Sequence, residues 1–344
     1  MGWTVALPKW LLKGPGLAVL AALGMWVAGV AWFHLPPALA LPGTLLWAVA
    51  VVAALWQVGR GTSGSRRLAL GVFVAGVMLA GFHWWRLEPL QDRDWADDVA
   101  RRLQVSRLDG PYVTLENVRN FHWRSETDYQ VSWEQRNYDL RQLRSADLFL
   151  SYWMGPAIAH TLVSFGFSDG RHLVFSLEIR KERDESFDAL AGFFRRYEMT
   201  LVASEETDII RVRSNIRDEQ VDVYRVAALQ GKALENLFLA YLQQARALDA
   251  APAFYNTLTS NCTTIVWDMA RQVSPALPLD WRLLASGYFP GYVHDLGALV
   301  PGYDLATLQQ AGRITDRALA ADAGQDFSQA IRQGVPGMQT GAIQ

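Results

Sequence analysis

Three long apolar runs open the chain, at roughly residues 16–35, 39–58 and 68–85. Each approaches the ~18–20 residues that carry a helix across a bilayer. Beyond residue 86 the pattern becomes mixed. DRDWADDVARRLQVSR (92–107) reads as a polar helix, and PYVTLENVRNFHWRSETDYQVSWEQRNYDL after it is mixed and aromatic-rich. DLFLSYWM (147–154) is strand-like. IAHTLVSFGF (158–167) and HLVFSLEIR (172–180) are strand-like runs around SDGR, a hairpin signal. Further strands are expected at 196–204, 207–214 and 220–226. In GKALENLFLAYLQQARAL, Leu234, Leu237, Phe238, Tyr241, Leu242, Ala245 and Leu248 share one helical face, and Pro252 closes that helix. A second helix is expected to start at or near Cys262, capped by Ser260 or Asn261, with Ile265, Val266, Met269 and Val273 on one stripe. Strands followed by helices predict an α+β domain with an antiparallel sheet.

Charge orients this plan. Residues 1–86 contain no Asp or Glu, and their basic residues are Lys9, Lys13, Arg60, Arg66, Arg67 and Arg86. Lys9 and Lys13 precede the first run, and GRGTSGSRR separates the second from the third. HLPPALALPG, between the first and second, has no Lys or Arg. The positive-inside rule then puts the N-terminus in the cytoplasm and everything after Trp85 on the far side, which in a Gram-negative cell is the periplasm. Reading ALA at 38–40 as a cleavage site still leaves the C-terminal part outside. Residues 87–344 hold 26 Lys and Arg against 34 Asp and Glu, a net charge of about −8 that argues against a nucleic-acid footprint. The expected organisation is a membrane domain at 1–86, a periplasmic domain at 87–318, and a fraying tail at 319–344 rich in Ala, Gly and Gln.

Cys262 is the only cysteine. A free cysteine is often just a small buried apolar side chain, but a thiol in the first turn of a helix sits at the positive end of the dipole, where the nucleophilic thiolate is favoured. Such a nucleophile needs a histidine base and a group to orient it. The histidines beyond residue 86 are His122, His160, His172 and His294. His160 lies in the first strand of the hairpin. With a three-residue loop it faces Glu178; with a two-residue loop Glu178 is a diagonal neighbour. The plain alternatives are a satisfied strand histidine and a Glu178 paired with Arg180 or Arg213. Asn261 is either an oxyanion donor or a simple cap, and the Cys262 N–H is a natural oxyanion donor. Arg119, Arg124 and Arg136, interleaved with aromatics, are candidate contacts for phospholipid headgroups or ordinary surface ion pairs. Tyr152 and Trp153 are candidate pocket wall or core. There is no HExxH, no paired cysteine, no GxSxG and no phosphate loop, so no metal or cofactor is expected.

NFHWRSETDYQVSWEQRNYDL, DLFLSYWMGPAIAHTLVSFGFSDG, VFSLEIR, RYEMTLVASEETDIIRVRS, FYNTLTSNCTT and DWRLLASGYFPGYVHDLGAL together resemble the Lnb-type lipoprotein N-acyltransferase family. The resemblance implies a permuted papain-like (NlpC/P60-like) thiol domain facing the periplasm. It implies Cys262 from SNCTT as nucleophile, His160 from AHTLVSFGF as base and Glu178 from FSLEIR as third member. The implied partners are a membrane phospholipid as acyl donor and a diacylated lipoprotein as acceptor, joined through a cysteine thioester. A membrane-tethered peptidoglycan hydrolase of the same thiol fold, a phospholipase and a non-catalytic membrane scaffold are the alternatives.

Overall fold

The computed structural model describes residues 14–321 and 326–338. Lys9 and Lys13, which orient the first span, lie outside the described residues. The chain forms two compact units. One comprises the N-terminal helices through Pro89 together with Asp188–Arg196; the other comprises Leu90–Phe187 and the chain from Tyr197 onward.

The first unit is built on α1 (Gly14–His34), α2 (Pro37–Arg60) and α3 (Ser63–Arg86), all long and apolar enough to cross a membrane. They coincide with the three apolar runs, and residues 38–40 lie inside α2. Outward-facing Leu46, Val49 and Met78 are exposed in the bare protein, as helices solvated by lipid require. Small residues let the helices approach. The indole of Trp47 donates to the Gly24 carbonyl at 2.8 Å, and a Cβ on Gly76 would stand 2.1 Å from the Trp47 ring. Residues 188–196 belong to this unit. Phe194 stacks on Phe33 at 5.2 Å, and the Arg195 guanidinium lies 4.6 Å from the centroid of the Trp84 ring.

The second unit carries one large sheet. Its strands are β1 (Gln104–Asp109), β2 (Tyr112–Arg119), β5 (Trp133–Asp139), β6 (Leu143–Tyr152), β7 (Ala159–Phe167), β8 (His172–Arg180), β9 (Glu198–Ser204) and β10 (Gln220–Arg225); β3 (His122–Trp123) and β4 (Tyr129–Gln130) form a separate small pair. The order is β1-β2-β9-β8-β7-β6-β10, with β5 also on β2. All pairings are antiparallel except a single parallel contact, Arg119 with Ser204. β7, β8 and β9 are buried on both faces, which is why they read as near-continuous apolar runs. The helices are α4 (Glu206–Ile209), α5 (Gly231–Ala250), α6 (Cys262–Val273), α7 (Phe289–Asp295), α8 (Leu305–Gly312), α9 (Thr315–Ala320) and α10 (Phe327–Ala330). The outcome is a mixed α/β domain behind three apolar helices.

Three expectations fail here. Residues 92–107 are not a helix. Trp95, Val99 and Leu103 are buried at helical spacing, but only Asp97–Val99 makes a 3₁₀ turn, and residues 104–109 pair along β2. Nor are residues 207–214 a strand. Asp208, Ile209, Ile210, Val212, Arg213 and Ser214 are all buried, so no face alternates to solvent, and the chain winds through α4 into a π-helical turn at Val212–Ile216. Buried Asp208 fixes that path by accepting from the Arg119 guanidinium, the Phe121 N–H, the Trp123 indole and the Ser204 hydroxyl. Finally, much of the expected tail is folded. Phe327, Ile331, Val335 and Met338 join the core around Phe149, Leu162 and Val221. Arg332 is buried there, bonding Asp147 at 3.0 Å and Glu206 at 2.5 and 2.7 Å. Residues 322–325 and 339–344 lie outside the described residues.

Candidate active site

The β7–β8 hairpin closes through Phe167 N–H to Arg171 O at 2.9 Å, leaving Ser168, Asp169 and Gly170 as the loop. Gly170 takes the left-handed φ of 86° that the turn needs. The register pairs Gly166 with His172 and Leu162 with Ser176, so the three-residue alternative holds and His160 and Glu178 share one face. His160 Nε2 lies 2.6 Å from Ser176 Oγ and 3.2 Å from Glu178 Oε1. Ser176 Oγ donates to the same Glu178 oxygen at 2.7 Å, and Arg213 donates to it at 2.8 Å. Glu178 therefore has both partners considered for it, a histidine and Arg213. Arg180 takes no part; it donates to the carbonyls of Gln91, Val99 and Ala100.

Cys262 opens α6. Asn261 is the N-cap, its Oδ1 accepting from the N–H groups of Thr263 and Thr264 at 2.9 and 2.8 Å while Thr264 Oγ1 accepts from Asn261 N–H. This capping box satisfies two of the orphan amides of the first turn. Among the described residues no hydrogen bond engages the Cys262 N–H. The helix lies against β7 through Thr263 Oγ1 and Thr161 Oγ1, 2.8 Å apart. Beyond Leu162–Ser176 the β7–β8 ladder stops, and there the Thr161 backbone and the His160 side chain come within electrostatic reach of the Cys262 sulfur, which also contacts Thr263 Oγ1 at 3.8 Å. Since Nε2 is held by Ser176 and Glu178, the ring nitrogen left for the thiol is Nδ1.

The electrostatics follow from that geometry. Burial alone would lower the His160 pKa, but the Glu178 carboxylate and then the Cys262 sulfur outweigh it and bring it up to about 9. Burial would raise the Cys262 thiol; His160 and the hydrogen bonds from His160, Thr161 N–H and Thr263 reverse this and lower it. Glu178 is held well below the usual carboxylate range, burial being overcome by His160 and Arg213. The three groups thus favour one another's charged forms: the thiol is lowered, the imidazole raised and the carboxylate lowered.

The other expected site residues are committed to contacts of their own. Asn261 spends Oδ1 on the helix start and donates Nδ2 to Thr257 O at 2.9 Å. Arg119 is buried on Asp208, which withdraws it from any lipid headgroup. Arg124 pairs with Asp128, and Arg136 with Glu134 and Glu205. Tyr152 donates to Gly287 O at 3.0 Å, while Trp153 is exposed and edge-on to Phe187. Ser176 was not expected, although its position two residues before Glu178 on one strand face signals it. Tyr241 and Tyr255 were not singled out for the site either, and both phenols feel the Cys262 charge.

A buried cysteine and a histidine held by a carboxylate, in a mixed α/β domain behind three membrane-length helices, define a membrane-anchored protein with a thiol site. Residues 129–287 match the family model described as the Lnb N-terminal periplasmic domain. The chain thus carries a periplasmic domain that matches the Lnb family, whose members act as lipoprotein N-acyltransferases. The match spans the hairpin, Arg213 and the start of α6. Neither the curated proteins nor the solved structures contain a match to the chain.

Proposed function

We propose that Cys262 is the nucleophile of an N-acyl transfer from a membrane phospholipid to the α-amine of a diacylglyceryl-cysteine at a lipoprotein N-terminus. The observation that carries this is the electrostatic coupling of the Cys262 sulfur to His160, itself anchored on Ser176 and Glu178 through Nε2. The permuted papain-like arrangement belongs to the same reading: the histidine strand precedes the cysteine helix in the chain.

In the first step the thiolate attacks an ester carbonyl of the phospholipid. The Sγ–C bond forms and the C=O pair moves onto oxygen, next to the Cys262 N–H. The intermediate collapses, the lyso-lipid alkoxide leaves, and His160 supplies its proton. In the second step the lipoprotein amine attacks the thioester, His160 takes a proton from nitrogen, and the thiolate leaves as the amide forms. Ser176, Glu178 and Arg213 keep the imidazole in position through both steps. A lipid substrate suits the exposed apolar side chains of this domain: Leu258 in the segment leading to Cys262, and Leu279, Trp281 and Leu284 between α6 and α7. With the N-terminus cytoplasmic, three spans deliver the domain to the periplasmic side, where acceptor and donor share one membrane.

The test is complementation of a cell depleted of its own lipoprotein N-acyltransferase, with lipoprotein N-termini read by mass spectrometry. N-acylated product with wild type and none with well-expressed Cys262→Ala is expected. Equal product from both, or viable cells with unmodified N-termini, would sink the proposal.

A further inference from the structure

The Cys262 N–H is one oxyanion donor, and a second, unpartnered polar group lies on the helix packed against α6, within electrostatic reach of the same sulfur. Tyr241 projects from α5, which packs against α6, and is 1% exposed. Its ring is fixed by Phe175, stacked at 4.9 Å, and by Phe165, edge-on at 5.6 Å. Its hydroxyl is buried and, among the described residues, has no hydrogen-bond partner. A phenol O–H removed from water without an acceptor is costly. Phe165, Phe175 and Phe238 fill the same aromatic cluster without one. Packing therefore accounts for the ring of Tyr241 and leaves its oxygen unexplained. Burial and the nearby Cys262 charge both raise this phenol, so it stays protonated, a donor, at neutral pH.

We propose that Tyr241 is a further catalytic residue, whose O–H is the second oxyanion donor for the acyl oxygen that turns negative on Cys262. The inference rests on the acyl-transfer reading above. In the resting enzyme the phenol lies within electrostatic reach of the sulfur but is not bonded to it. An acyl carbonyl arriving on the sulfur supplies the missing acceptor. The C=O pair moves onto oxygen when the thiolate attacks the ester, and again when the amine attacks the thioester. Both intermediates meet the Cys262 N–H and the Tyr241 O–H, and each collapse returns the pair to carbon as the alcohol or the thiolate leaves.

The experiment uses the full chain in phospholipid vesicles with a synthetic diacylated lipopeptide as acceptor. It compares wild type with Tyr241→Phe, which removes only the hydroxyl. Acyl-Cys262 is read by intact mass, product by chromatography, and thiolate population by the pH midpoint of iodoacetamide alkylation. Removing an oxyanion donor slows both acylation and transfer ~10²–10³-fold, in kcat rather than KM, with the alkylation midpoint and the melting temperature unmoved. Rates within about threefold of wild type would overturn the inference, since a lost oxyanion donor costs far more. So would a loss matched by a shifted alkylation midpoint, which would make Tyr241 a tuner of the thiol. If Tyr241→Phe does not fold, 3,5-difluorotyrosine at 241 acidifies the hydroxyl while keeping it. An altered rate with unmoved alkylation then supports the role, and an unaltered rate overturns it. A wild type that never forms acyl-Cys262 defeats the acyl-transfer reading itself, and the inference with it.

Discussion

His160 Nε2 lies 3.2 Å from Glu178 Oε1 across the hairpin, and Ser176 Oγ bridges the two at 2.6 and 2.7 Å. Arg213 donates to the same oxygen at 2.8 Å. The carboxylate is thus pinned by a cation from the π-helical turn before it acts on the imidazole. It is held by Arg213 and Ser176, and it engages the ring through Nε2, which leaves Nδ1 for the proposed exchange with the thiol.

Glu178→Gln keeps the shape and removes the charge. The His160 pKa is expected to fall from about 9, and the Cys262 thiol to rise as it loses its imidazolium. Activity should drop on the order of 10²-fold, the scale of acid–base contributions, while His160→Ala abolishes it. Iodoacetamide alkylation across pH checks this. An unmoved midpoint and full activity for Glu178→Gln would make Glu178 only the partner of Arg213.

The pH dependence has a definite sign. The His160 pKa is raised, so its contribution to stability is complete below about pH 6.5, the ordinary histidine value, and fades as pH rises through about 9. His160→Gln should therefore cost more melting temperature at pH 6 than at pH 9.5. A constant difference across that range would contradict the charged pair.

Asn261 holds the first turn of α6, and with it the proposed nucleophile. Asn261→Ala should cost about 1 kcal/mol and slow alkylation of Cys262 as the turn frays. Asn261→Asp, which keeps the acceptor, should restore most of both. Chemical denaturation of the purified protein reads the first effect.

Arg332 is buried between Asp147 and Glu206. Arg332→Met leaves buried Glu206 without its cation, while Asp147 keeps Arg225, and should cost about 3–5 kcal/mol. Glu206 is held at about 2, its burial outweighed by Arg332. Its stabilising effect is complete above the ordinary glutamate range and is lost as pH falls toward about 2. The variant should begin to unfold at higher pH than wild type in an acid titration followed by near-ultraviolet circular dichroism.

In the helical unit, Gly76→Val would drive a side chain into the Trp47 ring, which stands 2.1 Å from a Cβ at that position. Overpacking of this kind costs about 1–3 kcal/mol. A lower detergent melting temperature, recovered in part by Trp47→Leu, is expected.

Periodicity made the three apolar helices, the β7–β8 hairpin, α5 and the start of α6 readable in the chain, because each is specified by residues close in sequence. SDGR between two apolar runs made His160 and Glu178 neighbours under either loop length. Ser260 or Asn261 as a cap before the apolar stripe of Ile265, Val266, Met269 and Val273 announced a helix start near Cys262. Where local pattern and tertiary demand disagreed, the reading failed. Trp95, Val99 and Leu103 imitate a helix, yet the free edge of β2 takes residues 104–109 into the sheet. The Ala- and Gly-rich composition after residue 319 suggests fraying, yet Arg332 is drawn into the core by acids on β6 and α4.

The sequence by itself determined which segments are apolar enough for a membrane, which strands pair as a hairpin, and that one thiol opens a helix. These depend on hydrophobic period, turn chemistry and capping, all of which act over a few residues. Only the tertiary structure decided that the Cys262 sulfur lies within electrostatic reach of His160, that Arg213 rather than Arg180 backs Glu178, and that the Tyr241 hydroxyl is buried without a partner among the described residues. Those contacts join residues dozens of positions apart, and burial of the whole core, not any local rule, brings them together.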